Sequence, residues 1–367
     1  MRLLYIAKID EKYSLDFGVS KKIKGQIRAF QELGYEIDYL RMQDKFIIFN
    51  EDRLDKIKYR YFAYKEFYKV IKEQKRLKYD FVYLRYARGD IYFYKTIKMF
   101  NELSIKVITE IPTYPYENRL IGDGVKDTIS GWVDMYLATK LKKYVYRISV
   151  TNTHEYIYGI KTVNINNGID LKELPIIKKQ KKQNECINMI GIANLAKWHG
   201  YDRVIYGLSE YYKNKNQAKD VNFYIIGDGS EKENLINITK QLNIKDKVHF
   251  LGGKSGKELD DIFNIMDIGI SSLALFRAGG GHDPIKSKEF LGRGIPVVLG
   301  YEDKLIDMNL PYVLKVDENE SYVDIDNIIN EYEKCFNISE SEIRMYADKF
   351  LSWKTQMKKV VDGINKK

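Results

Sequence analysis

Residues 248–300 constrain the fold most, because short apolar runs alternate there with segments of helical spacing and a glycine-rich loop precedes the last helix. Within them, the run at 267–273 (DIGISSL) shows no alternation of polar and apolar residues. Such a run is typical of a strand that is covered on both faces in a parallel sheet. The segment therefore predicts consecutive βα units of an α/β domain.

The loop at 277–284 (RAGGGHDP) has the features of a ligand-binding helix entrance. Asp283 suits the N-cap of the following helix, and Pro284 suits its first helical position. Gly280 and Gly281 let the backbone approach a ligand closely, and the first turn of the helix offers free N–H groups and a partial positive charge. The loop predicts a site for an anionic or hydroxyl-rich ligand, with a purely structural flexible loop as the alternative.

The helix after this loop and the strand behind it carry a distinctive residue order. Its members are Pro284, Lys286, Glu289, Phe290, Leu291, Gly294, Pro296, Val297 and Val298. This order resembles the pattern P-x-K-x-x-E-[FY]-L-x-x-G-x-P-V-V of the retaining GT-B glycosyltransferases of the large family-four type, also called glycosyl transferases group 1. The resemblance implies that Glu289 holds the ribose hydroxyls of a nucleotide. A solvated helix residue is the alternative.

Other landmarks of that family occur upstream in the same order, so the resemblance covers most of the chain. The segment 167–170 (NGID) matches one near the crossing between the two domains, and 191–203 (GIANLAKWHGYDR) matches a strand followed by a basic residue and a helix-opening glycine. The resemblance implies that Lys197 contacts the diphosphate, where a compact point charge offsets negative charge on the leaving group. His199 either donates to a phosphate or packs against Trp198.

Two further turns follow apolar strands. The segment 221–230 (VNFYIIGDGS) contains Gly227 and Gly229, and in the family this turn faces the nucleotide. Ligands of doubly wound sheets bind outside the carboxyl ends of the strands, where such turns lie. After the strand at 248–252, the family's loop contacts the base, which makes Lys254 a further candidate. A dinucleotide-binding fingerprint would need G-x-G-x-x-G directly after the first strand, and the sequence has none there.

The sequence departs from the family at two positions. Many relatives carry a second Glu seven residues before the ribose-binding one, where this chain has His282. His282 could hydrogen-bond a sugar hydroxyl through a ring nitrogen, with Asp283 as a substitute acceptor, or it could only pack the loop. Many relatives also place a His after a strand of the N-terminal domain that resembles residues 106–110 here, but the segment 110–117 of this chain contains no His. Glu110, Thr113 and Glu117 are candidates for that contact by location only.

The first residues of the chain predict another βα unit. Residues 1–7 form an apolar run, followed by a polar loop at 8–25 and a helix that ends at Leu33 with Gly34 as its stop. In the family a glycine loop here faces donor and acceptor, so the resemblance makes Gly18 a candidate for close approach to the sugar. The ordinary strand, loop and helix of any α/β domain is the alternative.

Chain length and motif positions predict two domains. At 367 residues, the chain is long enough for each domain to bury its own core. We assign 1–166 to an N-terminal, acceptor-side Rossmann-like domain, 167–185 to a Lys-rich linker, 186–338 to a nucleotide-sugar-binding Rossmann-like domain and 339–367 to a helix that crosses back to the first domain. The predicted fold class is α/β, of GT-B type, with two doubly wound domains facing a central cleft.

The basic residues are distributed unevenly between the halves. Residues 1–165 contain 31 Lys and Arg against 21 Asp and Glu, whereas residues 166–367 contain 30 of each. The segments 53–78 and 141–147 mix basic with aromatic residues, which suits an anionic membrane surface. A solvated basic face is the alternative. No recognisable nucleic-acid-binding motif accompanies the charge, so nucleic acid is not a predicted partner.

Other features concern compartment and metal. No apolar run approaches the length of a transmembrane helix, and Met1 leads directly into a strand rather than a signal peptide. Two cysteines without metal-ligand spacing favour a reducing, cytoplasmic location, with any membrane contact peripheral. We predict no metal site. Asp324 and Asp326 form a D-x-D string, but in a polar late segment that is typical of a surface.

Together these features predict a retaining, metal-independent glycosyltransferase. It would take a nucleotide-diphosphate sugar, carrying UDP or GDP, as donor substrate and need no cofactor. The acceptor would be a growing glycan, lipid-linked, in bacterial capsule or exopolysaccharide assembly. Two alternatives stay open, a non-catalytic partner of another glycosyltransferase and a GT-B nucleotide-sugar epimerase.

Overall fold

The structure, a computed structural model, describes residues 1–13, 16–73, 78–112, 114, 125–151, 153–178, 186–213, 219–279 and 284–365. The chain divides into two compact units. The N-terminal unit comprises Met1–Gly168 and Trp353–Lys367, and the C-terminal unit comprises Ile169–Ser352.

In the N-terminal unit, nine strands of the described residues form one sheet in the order β4-β3-β2-β1-β5-β6-β7-β9-β8. They are β1 (Arg2–Asp10), β2 (Glu36–Gln43), β3 (Phe46–Phe49), β4 (Asp52–Lys56), β5 (Phe81–Arg85), β6 (Lys106–Ile111), β7 (Arg147–Val150), β8 (Tyr156–Ile157) and β9 (Ile160–Asn164). Strands β2, β1, β5, β6, β7 and β9 pair in parallel, and the edge strands β3, β4 and β8 pair antiparallel. The helices are α1 (Phe17–Glu32), α2 (Ala63–Glu73), α3 (Ile91–Glu102), α4 (Val125–Ala138) and α11 (Trp353–Asn365).

Both faces of this sheet are buried, which explains why β1 is apolar throughout. Leu3 and Tyr5 contribute to one core cluster with residues of α1 and α11, whereas Leu4 and Ile6 contribute to a second cluster with residues of α2 and α3. Successive side chains of a strand point to opposite faces, so a strand between two helical layers needs apolar residues at every position.

In the C-terminal unit, six parallel strands run in the order β12-β11-β10-β13-β14-β15 over the described residues. They are β10 (Cys186–Ile192), β11 (Asp220–Ile226), β12 (Val248–Gly252), β13 (Ile268–Ile270), β14 (Val297–Leu299) and β15 (Val313–Lys315). The helices are α5 (Tyr201–Lys213), α6 (Lys232–Gln241), α7 (Gly256–Phe263), α8 (Lys286–Arg293), α9 (Ile325–Cys335) and α10 (Glu340–Tyr346). Read in chain order, this is the 3-2-1-4-5-6 arrangement of a doubly wound sheet.

The predicted α/β class with two Rossmann-like units is therefore confirmed. A strand at the start of the chain and a helix that ends next to Leu33 are present as β1 and α1, but the predicted loop at 8–25 is too long, because β1 extends to Asp10 and α1 begins at Phe17. The entrance of α8 differs from the prediction, because the helix begins at Lys286 with Ile285 at the N-cap rather than at Pro284. Asp283 lies outside the described residues.

Two predicted segments pack differently from expectation. The predicted linker 167–185 is wrong for its described part, because Ile169, Leu174 and Ile177 are buried in the core of the C-terminal unit. The predicted single helix over 339–367 is divided into α10, a π-helical turn at Ala347–Leu351 and α11, and only α11 belongs to the N-terminal unit. The prediction gave weight to the polar, Lys-rich composition of this segment and overlooked its buried apolar residues Ile169, Leu174 and Ile177.

The predicted membrane-facing segment 53–78 also needs correction. Its helix, α2, buries Tyr64, Phe67, Val70 and Ile71 in the core of the N-terminal unit. The apolar face of α2 is therefore already covered by the protein. Among the helices of the described residues, none combines the length and apolar character that a bilayer-spanning helix needs.

Gly207 allows α5 to pack closely against the loop before α9, and its replacement tests this packing. A Cβ atom at Gly207 would overlap the carbonyl oxygen of Val323. We expect Gly207→Ala to lower the free energy of unfolding by about 1–3 kcal/mol, because rigid backbone must shift. Gly253→Ala is the control, since a Cβ there meets nothing within 4 Å. Urea unfolding measures both, and equal stability of the two variants would contradict the packing.

Candidate functional site

The sheet of the C-terminal unit reverses its strand order between β10 and β13. Ligands of doubly wound sheets bind outside the carboxyl ends of the strands at such a switch point. After β10 the chain forms a 3₁₀ turn at Lys197–His199 and enters α5, and after β13 it forms another at Leu275–Ala278. The motif at 191–203 thus lies at this edge of the sheet, and Lys286 of the motif at 284–298 contacts His199 of the first motif.

Backbone hydrogen bonds hold the two loops together. The N–H of Leu273 donates to the carbonyl of His199 at 3.0 Å, and that of Ala274 donates to the carbonyl of Trp198 at 3.2 Å. Gly200 ends the turn, and a Cβ atom there would lie 3.0 Å from the Cβ of Leu273. The loops thus form one surface at the switch point.

His199 lies beneath this surface and is only 6% exposed. Its Nε2 is 3.1 Å from the carbonyl oxygen of Asn194, and its Nδ1 is 3.1 Å from the Oγ of Ser272. Because a carbonyl only accepts, Nε2 carries the proton and Nδ1 is the acceptor. His199 has therefore already used its donor, and it supports the loops rather than donating to a phosphate. The ring also lies near Trp198, with centroids 5.8 Å apart.

Lys286, the first residue of α8, reaches the same histidine. Its Nζ is 3.2 Å from each ring nitrogen of His199. Burial lowers the pKa of Lys286 to about 8, and the negative charge of Glu289 opposes this shift. Burial, and then the positive charge of Lys286, lowers the pKa of His199 to about 4. Near neutral pH the arrangement is a neutral imidazole beside a partly buried cation.

Glu289 lies one helical turn after Lys286 and is partly buried. Residues three apart share one face of a helix, so the carboxylate and the ammonium face the same side. A carboxylate is a strong acceptor for sugar hydroxyls. The arrangement suits the predicted ribose contact of Glu289, which stays a prediction.

Lys197 is exposed at the start of the turn after β10. Its carbonyl accepts a hydrogen bond from Nη1 of Arg277 at 3.0 Å. Arg277 also pairs with Asp202 through two bonds of 2.9 and 3.0 Å, and with Glu320. Arg277 is thus held by ion pairs with two carboxylates and supports the backbone of the turn, while the side chain of Lys197 is accessible to solvent. Lys197 therefore offers an accessible cation at the start of the turn that also contains His199.

Gly227 and Gly229 have a structural reason to be glycine. Both have positive φ angles, of 121° and 153°. A Cβ on Gly227 would overlap the carbonyl oxygen of Ala193, and one on Gly229 would overlap the backbone of Leu195. The turn after β11 therefore packs backbone to backbone against the loop after β10. Its predicted contact with a nucleotide stays a prediction.

The remaining predicted residues lie in different places. Lys254 follows β12 and forms an ion pair with Glu258 of α7, which partly neutralises its charge. Gly18 lies in the first turn of α1 in the other unit, where a Cβ atom would meet nothing within 4 Å. Gly280, Gly281, His282, Asp283, Thr113 and Glu117 fall outside the described residues.

Glu110, a candidate for the sugar contact in the N-terminal unit, forms a buried ion pair within the sheet. Its carboxylate is 4% exposed and pairs with Arg85, which is 8% exposed. Their strands, β6 and β5, are neighbours, and the two residues lie directly opposite in register. Removing one partner of such a pair would leave a buried charge, so Glu110 acts in the fold.

Sequence reasoning missed the roles of Lys286 and Ser272. Lys286 is part of the quoted motif but received no role, although its position three residues before Glu289 predicts a shared helix face. Ser272 lies two residues after the end of β13, and a hydroxyl just beyond the carboxyl end of such a strand is a usable signal. Across the described ranges, no group of three or more His, Cys, Asp or Glu side chains is placed to hold a metal ion.

Residues 173–340 match the family described as "Glycosyl transferases group 1". The chain is also 30% identical over 163 residues to the O-antigen biosynthesis glycosyltransferase WclY of Escherichia coli. That alignment covers 42% of this chain and 44% of the relative, so the chain matches less than half the length of WclY. The family match includes Lys197, Lys286 and Glu289.

Solved glycosyltransferase structures resemble the whole chain. HepE of Anabaena, in complex with UDP, is 12% identical with a TM-score of 0.58, and both chains are fully covered. A glycosyltransferase of Rickettsia africae is 12% identical with a TM-score of 0.61, covering 98% of this chain and 97% of the other. These likenesses concern the fold alone. The chain thus has the fold of GT-B glycosyltransferases, and its residues 173–340 are similar to the glycosyl transferases group 1 family.

The buried His199 predicts a specific acid dependence of stability. In the unfolded chain a histidine titrates near 6.5, whereas in the fold the pKa is about 4. Between these values the unfolded chain binds more protons, so stability falls as the pH drops from about 6.5 to 4, by about 3 kcal/mol in total. His199→Asn should remove this component from urea unfolding measured across that range. His154→Asn, at an exposed histidine, is the control, and parallel acid limbs for wild type and His199→Asn would contradict the assignment.

Proposed function

We propose that the protein is a retaining, metal-independent glycosyltransferase that moves a sugar from a nucleotide-diphosphate donor, UDP or GDP, to a growing glycan. The observation that carries this proposal is the contact of Lys286, on the same helix as Glu289, with His199 in the turn that begins at Lys197, at the switch point of a doubly wound sheet. Two cations suit a diphosphate, and a carboxylate on the same helix face suits the ribose hydroxyls.

The donor would lie across the carboxyl ends of β10 and β13. Departure of the nucleoside diphosphate breaks the bond from the anomeric carbon to the phosphate oxygen and concentrates negative charge there. Lys197 and Lys286 would stabilise that charge, together with the first turn of α8. Phosphate would also raise the pKa of Lys286 again, so that binding keeps this lysine fully charged.

The sugar ring gains positive charge as the leaving group departs. The acceptor hydroxyl would attack on the same face, giving its proton to the departing phosphate oxygen, which retains the configuration at the anomeric carbon. This route follows from the resemblance of the motif at 284–298. Fixed lysines supply the charge stabilisation that the predicted metal-independent route needs.

We propose a lipid-linked glycan of bacterial surface-polysaccharide assembly as acceptor. The similarity to WclY, an O-antigen biosynthesis glycosyltransferase, supports this pathway, and capsule or exopolysaccharide assembly is the same class of reaction. The N-terminal unit, which carries the excess of basic residues, would hold the acceptor. A lipid-linked acceptor places the reaction at the inner face of the plasma membrane, with peripheral association of the protein.

Lys197→Ala tests the leaving-group role. If Lys197 stabilises charge that develops only in the transition state, the variant should lose about 100-fold or more in kcat with a much smaller change in donor affinity. Donor turnover and isothermal titration with the nucleotide separate the two quantities. Lys213→Ala is the control, because Lys213 ends α5 and lies about 18 Å along the helix from its start. Equal losses in turnover and affinity would assign Lys197 to binding only.

A nucleotide panel with Glu289→Gln tests the proposed donor site. We expect UDP or GDP to bind the purified chain, and UDP is the first choice because HepE was solved with it. Glu289→Gln should weaken that binding by about 10- to 150-fold, since a hydrogen bond to a charged group contributes about 1.5–3 kcal/mol. Glu233→Gln, on the exposed surface of α6, should bind like wild type. Failure of UDP, GDP and ADP to bind at all would favour a non-catalytic partner of another glycosyltransferase.

A further inference from the structure

Helix α4 of the N-terminal unit presents apolar side chains to solvent along one face. Trp132 is 73% exposed and Tyr136 is 64% exposed, and Ile129, Val133 and Met135 are also exposed. Residues 129, 132, 133 and 136 follow the i, i+3, i+4, i+7 spacing of a single helical face. A contiguous exposed apolar face of this kind marks an interaction site, whereas single exposed apolar residues do not.

The opposite face of α4 is packed into the unit. Gly131, Asp134 and Ala138 are buried there, and Asp134 accepts hydrogen bonds from the N–H of Gly89 and the hydroxyl of Tyr86. The one charged residue between 128 and 138 is therefore the one that points inward. This reverses the usual amphipathic arrangement, in which the polar face points to solvent. Because α4 is anchored by its own inner face, its outer apolar face is left for something outside the unit.

Basic residues follow directly at the carboxyl end of α4. Lys140, Lys142 and Lys143 are all exposed. The Nζ of Lys140 lies 5.1 Å from the ring centroid of Tyr136, so the cation adjoins the apolar face. The half of the chain that contains α4 carries the whole excess of ten positive charges. An aromatic and aliphatic face next to three lysines complements an anionic bilayer surface, in apolar character and in charge.

We propose that the outer face of α4, with the three lysines after it, docks the protein on an anionic lipid membrane. Trp132 and Tyr136 would enter the interface between headgroups and acyl chains, and Ile129 and Val133 would lie beside them. The lysines would contact anionic headgroups. This surface differs from α2, whose apolar face is buried in the core. It rests on the proposed function only for the choice of membrane, because its geometry involves none of the donor-site residues.

Flotation of the full chain with lipid vesicles tests the proposal. We expect wild type to float with vesicles of phosphatidylcholine and phosphatidylglycerol and to float less with phosphatidylcholine alone, and salt should weaken the difference. Trp132→Ser/Tyr136→Ser should partition about tenfold less or worse. The matched control is Tyr322→Ser/Met345→Ser, which removes two comparably exposed side chains from the C-terminal unit. It should float like wild type.

Two further measurements separate membrane docking from misfolding of the double variant and from self-association. Urea unfolding of the Trp132→Ser/Tyr136→Ser variant should show the same transitions as wild type, which shows that the N-terminal unit is folded, and unchanged UDP or GDP binding keeps docking apart from donor binding. Flotation of the double variant equal to wild type, or no flotation of wild type, would overturn the proposal. A dimer of wild type that dissociates in the same variant, without flotation, would assign the face to a second copy of the chain instead.

Discussion

The candidate site depends on how closely three loops of the C-terminal unit approach one another. The turn after β11 packs its backbone on the loop after β10, and glycine at 227 and 229 is what makes that contact possible. On the other side, the loop after β13 donates two backbone hydrogen bonds to the turn at Lys197–His199. Contacts between backbone atoms therefore position the loops, and these contacts do not depend on side-chain conformation. A donor site built on them is rigid before any ligand arrives, which lowers the ordering cost of binding.

Burial disfavours the positive charge of Lys286 at this site. Lys286 is held partly buried beside a histidine, and burial opposes its charge. His199 relieves the conflict by staying neutral, with its proton directed at a carbonyl oxygen and its lone pair toward Ser272 and Lys286. A phosphate group beside Lys286 would favour its charged form and raise its pKa again.

Two helices of the N-terminal unit use their aromatic residues in different ways. In the N-terminal unit, the aromatic residues of α2 complete the core, and those of α4 face solvent beside exposed lysines. The sequence of both segments mixes aromatic with apolar or basic residues, so composition alone does not separate them. Asp134 is decisive, because its buried hydrogen bonds fix which face of α4 points inward. With Asp134 facing inward, Ile129, Trp132, Val133 and Tyr136 lie on the solvent-facing side of α4.

By itself, the sequence determined the alternation of strands and helices, the α/β class and the residues of the motif around Glu289. Those features depend on local periodicity, which a single chain displays directly. It did not determine that Lys286 reaches His199, 87 positions away, or that Ile169, Leu174 and Ile177 belong to a core. Both are set by which strands become neighbours, and strand order is a property of the whole sheet. The same holds for Glu110, whose local setting suggested a sugar contact until the register of β5 and β6 placed Arg85 opposite it.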